Sequence, residues 1–174
     1  MTEAGVYIRS ATPEDAKQIR ENIRHTLASP DTRGPRRRYE EAAARHELLV
    51  MERYEPRERA MKLVGFVEWH TRVDGTATIR DAGTVGDEPQ PVVMKRLLRE
   101  MLGLVSPAAL QVKVREDLRI WNQIFADVPG FLLEGREYSR PYWKNIWTWS
   151  RGAAEAVRKE LPPKKRRRFP GRRA

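Results

Sequence analysis

A two-residue turn within the chain constrains the fold more than any other feature. Asp74-Gly75 is a typical hairpin signal, because such turns need the positive φ angle that glycine adopts freely. The flanking segments, 61–71 and 76–85, carry many β-branched and aromatic residues, as strands do. The sequence therefore predicts a pair of long antiparallel strands joined at this turn.

Strand-like and helical segments surround this hairpin. Thr12-Pro13-Glu14-Asp15 predicts a helix start, with a threonine cap, proline at the first helical position and acids at the positive end of the helix dipole. Four apolar residues at helical spacing would form the buried face of this helix: Ala16, Ile19, Ile23 and Leu27. Further helices are predicted around 39–46, 93–101 and 118–128, and further strands at 6–9, 48–51, 110–114, 131–138 and 143–149.

Composition excludes several classes of protein. With 174 residues the chain has the length of one domain, and it has no cysteine, which excludes disulfides, thiolate metal sites and a cysteine nucleophile. Apolar runs are short, so we expect no membrane span, no secretory signal and a cytoplasmic location. His25 and His46 fall on different predicted helices without a metal-binding pattern, so no metal site is predicted.

The positive charge is concentrated at the C-terminus. Of the formal net charge of +10, seven units come from residues 162–174, and the rest of the chain carries +3. The basic residues of this tail are Lys164, Lys165, Arg166, Arg167, Arg168, Arg172 and Arg173. The pattern is typical of a nuclear-localisation sequence, of an arm that binds nucleic acid or another polyanion, or of a solvated tail. We expect a domain over 1–150, followed over 151–174 by a helical extension and a flexible basic tail.

Three pieces of sequence resemble the GNAT family of N-acetyltransferases. Residues 8–16 are similar to the first strand and helix cap of that family, residues 63–69 with 78–80 to its central hairpin, and residues 122–131 to its late helix and following glycine. The order β-α-α-β-β-β-α-β-α-β-β agrees. The resemblance implies an α+β fold with a mixed, mostly antiparallel twisted sheet flanked by helices.

The resemblance also implies acetyl-CoA as cofactor, bound where the fourth strand separates from its neighbour and a helix begins. The residues expected to contact it are Gly83, Thr84, Val85, Gln90, Val92, Val93, Met94 and Asn122. The loop 86–91 departs from the family pattern, because it lacks the glycines that cradle pyrophosphate and carries two acids and two prolines. Ala126 stands where the family often has a tyrosine general acid.

Candidate residues for proton transfer lie on the central hairpin. Asp81, Glu68 or His70 could deprotonate a substrate ammonium, and the alternative is that all three are solvated side chains of a half-exposed sheet. Asp81 stands out because it interrupts an apolar strand.

An aromatic and basic stretch ends the domain. Tyr138, Arg140 and Trp143 could form the wall of a substrate pocket, and the alternative is core packing, as for Trp147 and Trp149, which alternate along a strand.

Two main hypotheses of function follow. The first is an acyl-CoA-dependent N-acyltransferase acting on an amine, whose acceptor could be a nucleic acid or a protein bound to one. The second is a catalytically degenerate protein of the same fold that binds nucleic acid or a nucleoprotein through its basic tail. A structural protein anchored by that tail is a third alternative.

Overall fold

The computed structural model describes residues 5–29 and 38–160. The strands are β1 (Val6–Ser10), β2 (Leu48–Glu55), β3 (Ala60–Thr71), β4 (Ala77–Thr84), β5 (Leu110–Arg115), β6 (Phe131–Ser139) and β7 (Tyr142–Trp149). The helices are α1 (Asp15–Asn22), α2 (Tyr39–Ala44), α3 (Pro91–Val105), α4 (Arg119–Asp127) and α5 (Arg151–Glu160). Within these ranges no helix combines the length and apolar character that a membrane span requires.

The strands form one mixed sheet in the order β1-β2-β3-β4-β5-β7-β6. Neighbouring strands are antiparallel except β4 and β5, which run parallel. The predicted hairpin is present, and Gly75 has a φ of 83°. Its turn is longer than the two residues predicted, because the Arg72 amide donates to the Thr76 carbonyl (2.8 Å) and leaves Val73, Asp74 and Gly75 in the loop. The α+β class with a mostly antiparallel sheet flanked by helices is therefore confirmed.

Two hydrophobic clusters lie on opposite faces of this sheet. On one face, α1 and α2 pack against β2 and β3 through residues that include Ile19, Tyr39, Leu48, Val50 and Phe66. On the other, α3 and α4 bury an apolar stripe that includes Met94, Leu97, Met101, Ile124 and Phe125. Trp147 and Trp149 belong to this second cluster, so the prediction of core packing holds for both.

The parallel strands β4 and β5 separate soon after they begin. Only Ala77 with Leu110 and Thr78 with Gln111 are in register, whereas β4 continues to Thr84. The sheet is thus split between the carboxyl ends of β4 and β5, and α3 begins near the end of β4. This is the separation that the resemblance implies.

The first helix is shorter than predicted. It ends at Asn22, and Ile23 is extended with φ −116° and ψ 104°. The prediction that His25 and Leu27 lie on this helix is wrong, because the chain turns out of it to pair with β4. His46 follows α2 with a φ of 57°, so its assignment to a helix is also wrong.

An ion-pair network fixes the start of α1 to the sheet. The Asp15 carboxylate accepts hydrogen bonds from the Thr12 amide (2.8 Å) and from the Arg9 guanidinium (2.7 and 2.9 Å), and Arg9 also donates to Glu52 (2.8 Å). Thr12 therefore donates to Asp15 instead of capping the helix. These hydrogen bonds, chiefly those from Arg9, lower the pKa of Asp15 below its ordinary value of 3.8.

We expect Asp15→Asn to lower the free energy of unfolding at pH 7 by about 1–3 kcal/mol, because hydrogen bonds to a charged group are lost. Because the pKa of Asp15 is lower in the folded chain than in the unfolded chain, its carboxylate stabilises the fold fully at pH values above the unfolded pKa. This stabilisation is lost as the pH falls through the folded pKa. The difference from the wild type should therefore shrink below pH 3.8, as urea denaturation at several pH values would show. The control Glu21→Gln removes an exposed ion pair with Lys17 and should cost less than about 0.5 kcal/mol. If Asp15→Asn lowered the free energy of unfolding by the same amount at every pH, the prediction would be contradicted.

Candidate functional site

Two buried carboxylates are neighbours across β3 and β4. Glu68 pairs in register with Asp81, and the two residues are 5% and 0% exposed. Directly opposite residues of an antiparallel pair share a face of the sheet, which here is the face covered by α1 and α2. Two of the three residues predicted to handle protons are therefore together. The third, His70, pairs with Thr78, closer to the hairpin turn.

Asp81 holds three parts of the chain together. Its Oδ1 accepts hydrogen bonds from the amides of Ala28 (3.0 Å) and Ala82 (2.9 Å), and its Oδ2 accepts one from the Tyr39 hydroxyl (2.8 Å). Tyr39 lies at the start of α2, and Ala28 lies in the segment that follows α1. The buried carboxylate thus positions both segments over β4, a role that the sequence did not indicate.

His70 faces a second buried acid. Its Nδ1 lies 3.5 Å from Oε1 of Glu47, which also accepts a hydrogen bond from Arg45 (2.8 Å), while Oε2 accepts one from the Thr71 amide (2.6 Å). Burial alone would raise the pKa of Glu47, but the Thr71 amide, Arg45 and His70 together lower it. His70 therefore lies beside Glu47, without a hydrogen bond from its Nδ1, and apart from the pair of carboxylates on β3 and β4.

The segment Thr26–Ala28 runs along the edge of β4 that faces the split. The Leu27 amide donates to the carbonyl of Ala82 (2.8 Å), and Thr26 forms an antiparallel bridge with Gly83. Leu27 is 6% exposed and packs into the cluster beneath α3, whereas α1 packs on the opposite face. Its side chain therefore enters the core from the edge of β4 that faces the split. Sequence reasoning missed this segment, for which the β-branched Thr26 is the one local signal.

Gly83 is required by this arrangement. A Cβ atom added there would lie 2.7 Å from Cγ2 of Ile23, closer than real Cβ atoms approach, and 3.0 Å from the Phe66 ring, which is tighter than most Cβ contacts. The missing side chain allows the end of α1 to approach β4. The predicted cofactor residue Gly83 thus has a packing role in the folded chain.

The start of α3 is fastened to the end of β4. Gln90 donates from its amide to Oγ1 of Thr84 (2.8 Å) and from Nε2 to the carbonyl of Val85 (2.9 Å). Met94 donates to the Gln90 carbonyl, and Pro91 has no N–H. The amides of Val92 and Val93 donate no hydrogen bond to the described residues, and they lie at the positive end of the helix dipole.

Asn122 is occupied by hydrogen bonds within the protein. Its Nδ2 donates to the carbonyls of Arg115 (2.9 Å) and Leu118 (2.8 Å), and its Oδ1 accepts from Asn145 (2.9 Å) and Trp147 (3.0 Å). These contacts join α4 to β5 and β7. A cofactor would have to displace one of them to bind Asn122, whose predicted role stays a prediction.

The aromatic residues of the last hairpin point to both sides of the sheet. Trp143 and Tyr138 contact each other with ring centroids 5.3 Å apart, and Arg136 lies over the Trp143 ring. Arg140 lies in the turn between β6 and β7. Tyr142 alternates with Trp143 along β7, and its ring contacts Arg115 instead. The substrate role of Tyr138, Arg140 and Trp143 stays a prediction, and the basic residues 164–168, 172 and 173 lie outside the described residues.

Comparison with known proteins gives a clear result at the level of the fold. No protein-family model matches the sequence, and no curated protein matches it. The structure is similar to a GNAT-family acetyltransferase from Bacillus cereus, with a TM-score of 0.65, 13% identity, and coverage of 83% of this chain and 96% of that chain. It is also similar to yncA from Salmonella typhimurium with its cofactor acetyl-CoA (TM-score 0.61, 12% identity, 84% and 94% covered).

A third similar structure is AAC(6')-Ib in complex with ribostamycin and coenzyme A, with a TM-score of 0.62, 11% identity, and coverage of 90% of this chain and 99% of that chain. All three similarities extend over most of both chains, although few residues are identical. The protein therefore has the GNAT acetyltransferase fold.

Proposed function

We propose that this protein is an acyl-CoA-dependent N-acyltransferase, which transfers an acetyl group from acetyl-CoA to an amine. The observation that carries the proposal is the split of the sheet beyond Thr78, beside the first turn of α3. The similar structures with acetyl-CoA or coenzyme A support it. The acceptor amine would belong to a nucleic acid or to a protein bound to one, a refinement that rests on the basic tail.

Each part of the split would have its own role. The pantetheine arm would lie along Gly83–Val85, and the amides of Val92 and Val93 would meet the pyrophosphate at a helix N-terminus. Glu68 or Asp81 would accept the proton of the attacking amine, directly or through water. The nitrogen bonds to the carbonyl carbon, the carbon–sulfur bond breaks, and coenzyme A leaves as a thiol after taking up a proton.

In this reaction the segment Thr26–Ala28 and the cofactor arm compete for the same edge of β4. Leu27→Ala weakens the packing of this segment, so the edge of β4 is free in a larger fraction of the molecules. The apparent affinity for acetyl-CoA should therefore rise by roughly tenfold. Isothermal titration calorimetry of the wild type and the variant would measure this change.

Leu102→Ala is the matched control, because Leu102 is also buried but lies at the far end of α3. It should cost similar stability, about 2–5 kcal/mol, without changing the affinity for acetyl-CoA. Weaker binding by Leu27→Ala would show that Leu27 belongs to the site instead of covering it. No binding of acetyl-CoA at high micromolar concentration, by the wild type or by Leu27→Ala, would remove the proposal.

A second candidate is a non-catalytic binding protein of the same fold. It is favoured by the loop after β4, where Asp87 and Glu88 would repel phosphate and Pro91 removes a donor from the first turn of α3. This alternative predicts no acetyl-CoA binding, together with salt-dependent nucleic-acid binding that is lost when residues 162–174 are deleted. Unchanged nucleic-acid affinity after that deletion would contradict it.

A further inference from the structure

A basic groove of about 390 Å³ lies beside the split, on the side from which Leu27 and Ala28 approach β4. It is lined by three arginines and two lysines from the β3–β4 turn, β4, β5 and β7: Arg72, Arg80, Lys113, Arg115 and Lys144. The other lining residues are neutral, so none of the described residues that form the groove is a carboxylate.

The sheet topology gathers these cations. Lys113 and Arg115 alternate along β5, and Lys144 pairs in register with Arg115 because β7 is the neighbour of β5. On β4, Glu68 pairs with Asp81 but Trp69 pairs with Ile79, which makes Arg80 the extra residue of a β-bulge. The bulge bends the strand locally, and the exposed Arg80 lines the groove close to the buried carboxylates.

Nearby acids neutralise only part of this charge. Lys113 pairs with Glu137 (2.7 Å), and Arg115 pairs with Asp117 (2.6 Å). Arg72, Arg80 and Lys144 form no ion pair with a carboxylate of residues 5–29 or 38–160. The groove therefore has an excess of positive charge that an anionic ligand would satisfy.

An exposed aromatic ring adjoins these cations. The Arg115 guanidinium lies 3.4 Å from the centroid of the Tyr142 ring, and Tyr142 is 37% exposed. Tyr142 and Lys144 are two residues apart on β7, so their side chains share a face. Tyr142 lies beyond the groove, in an adjoining depression that it lines with Trp143, Arg119, Glu116 and Asp117. Phosphate-binding cations beside a stacking ring are the combination by which proteins bind single-stranded nucleic acid.

We propose that this groove binds a single-stranded nucleic acid. Arg72, Arg80 and Lys144 contact its phosphates, and a base stacks near Tyr142. An acidic peptide would satisfy the charges but would make no use of the ring. Binding of the nucleic acid does not depend on acyl transfer. The inference rests on the proposed function in one respect only: the bound nucleic acid would bring an amine to the split.

The test compares two triple variants of the full chain, both of which lower the net charge by three. One is Arg72→Gln/Arg80→Gln/Lys144→Gln, and the matched control is Arg53→Gln/Arg57→Gln/Arg99→Gln, at exposed positions outside the groove. Fluorescence anisotropy with a labelled oligonucleotide of about 12 nucleotides would give affinities between about 50 and 200 mM salt. Because both triples keep the basic tail, its contribution cancels.

We expect the groove triple to bind at least about tenfold more weakly and to lose about 2 from the slope of log affinity against log salt, since three phosphate contacts are removed. Tyr142→Leu should weaken binding by about fivefold or more and leave the slope unchanged. The control triple should change affinity by less than about threefold.

Equal losses in the two triples would overturn the proposal, because long-range charge would then explain the binding. Equally tight binding of a polyglutamate of the same charge, insensitive to Tyr142→Leu, would overturn it in favour of an acidic peptide. Titration of the same variants with acetyl-CoA separates the two proposals, since failure of acetyl-CoA binding would leave the oligonucleotide result standing.

Discussion

Gly130→Ala should lower the free energy of unfolding by about 3–5 kcal/mol, although it only adds a methyl group and removes no contact. Gly130 has a φ of 101°, and an added Cβ would lie 2.4 Å from Nε1 of Trp149 and 2.9 Å from Cβ of Ala154. Trp149 cannot move aside easily, because it is buried and donates a hydrogen bond to the Pro129 carbonyl (3.0 Å). Urea denaturation would measure the change as a lower midpoint at constant slope.

Gly75→Ala is the control that separates backbone strain from steric overlap. Gly75 also has a positive φ, of 83°, but the nearest atom to an added Cβ is that of Ala108, at 3.9 Å. The cost should then be about 1 kcal/mol, the lower end of the range for backbone strain alone. Equal losses for the two variants would show that the contact with Trp149 relaxes without cost.

Asp81→Ala is the second substitution with a large expected effect, again a loss of about 3–5 kcal/mol. It removes the carboxylate that accepts hydrogen bonds from the Tyr39 hydroxyl and from the amides of Ala28 and Ala82. Asp81→Asn keeps the shape and one acceptor oxygen, so it should cost less than half as much. Tyr39→Phe removes one of the three bonds and should cost about 1 kcal/mol.

Chemical denaturation of the three variants under the same conditions would give this ranking. Because Asp81 anchors Ala28, Asp81→Ala should also loosen the segment Thr26–Ala28, which hydrogen exchange at the Leu27 amide would detect as lost protection. A penalty for Asp81→Ala no larger than that for Tyr39→Phe would show that the carboxylate does not hold these parts together.

Much of the fold could be predicted because its signals are local. The Asp74-Gly75 turn fixes the central hairpin, and the apolar stripe of α3 has the period of a helix packed on one side. Asp81 was recognisable as unusual, since an acid seldom interrupts an apolar strand unless it has partners. What could not be read from the strand alone was that these partners are Tyr39 and Ala28.

The site was harder to predict because its contacts are distant in sequence. Leu27 continues the apolar period of α1, and only the long-range hydrogen bond to Ala82 places it at the edge of β4 that faces the split. The cations of the basic groove each occur singly as polar positions of strands or turns. They form one surface only because the chain places β7 between β5 and β6, which brings Lys144 next to Arg115.

This strand order has a consequence for how the chain is made on the ribosome. The last strand, β7, is an interior strand of the sheet, since it is bonded to both β5 and β6. Until Tyr142–Trp149 has been synthesised, the outer edge of β5 has no partner and the tryptophans that complete the core beneath α3 and α4 are missing. The two parts of the sheet are therefore not equivalent during synthesis: β1 to β4 each pair with the next strand along the chain, whereas a nascent chain that stops before β7 exposes an unpaired edge prone to association.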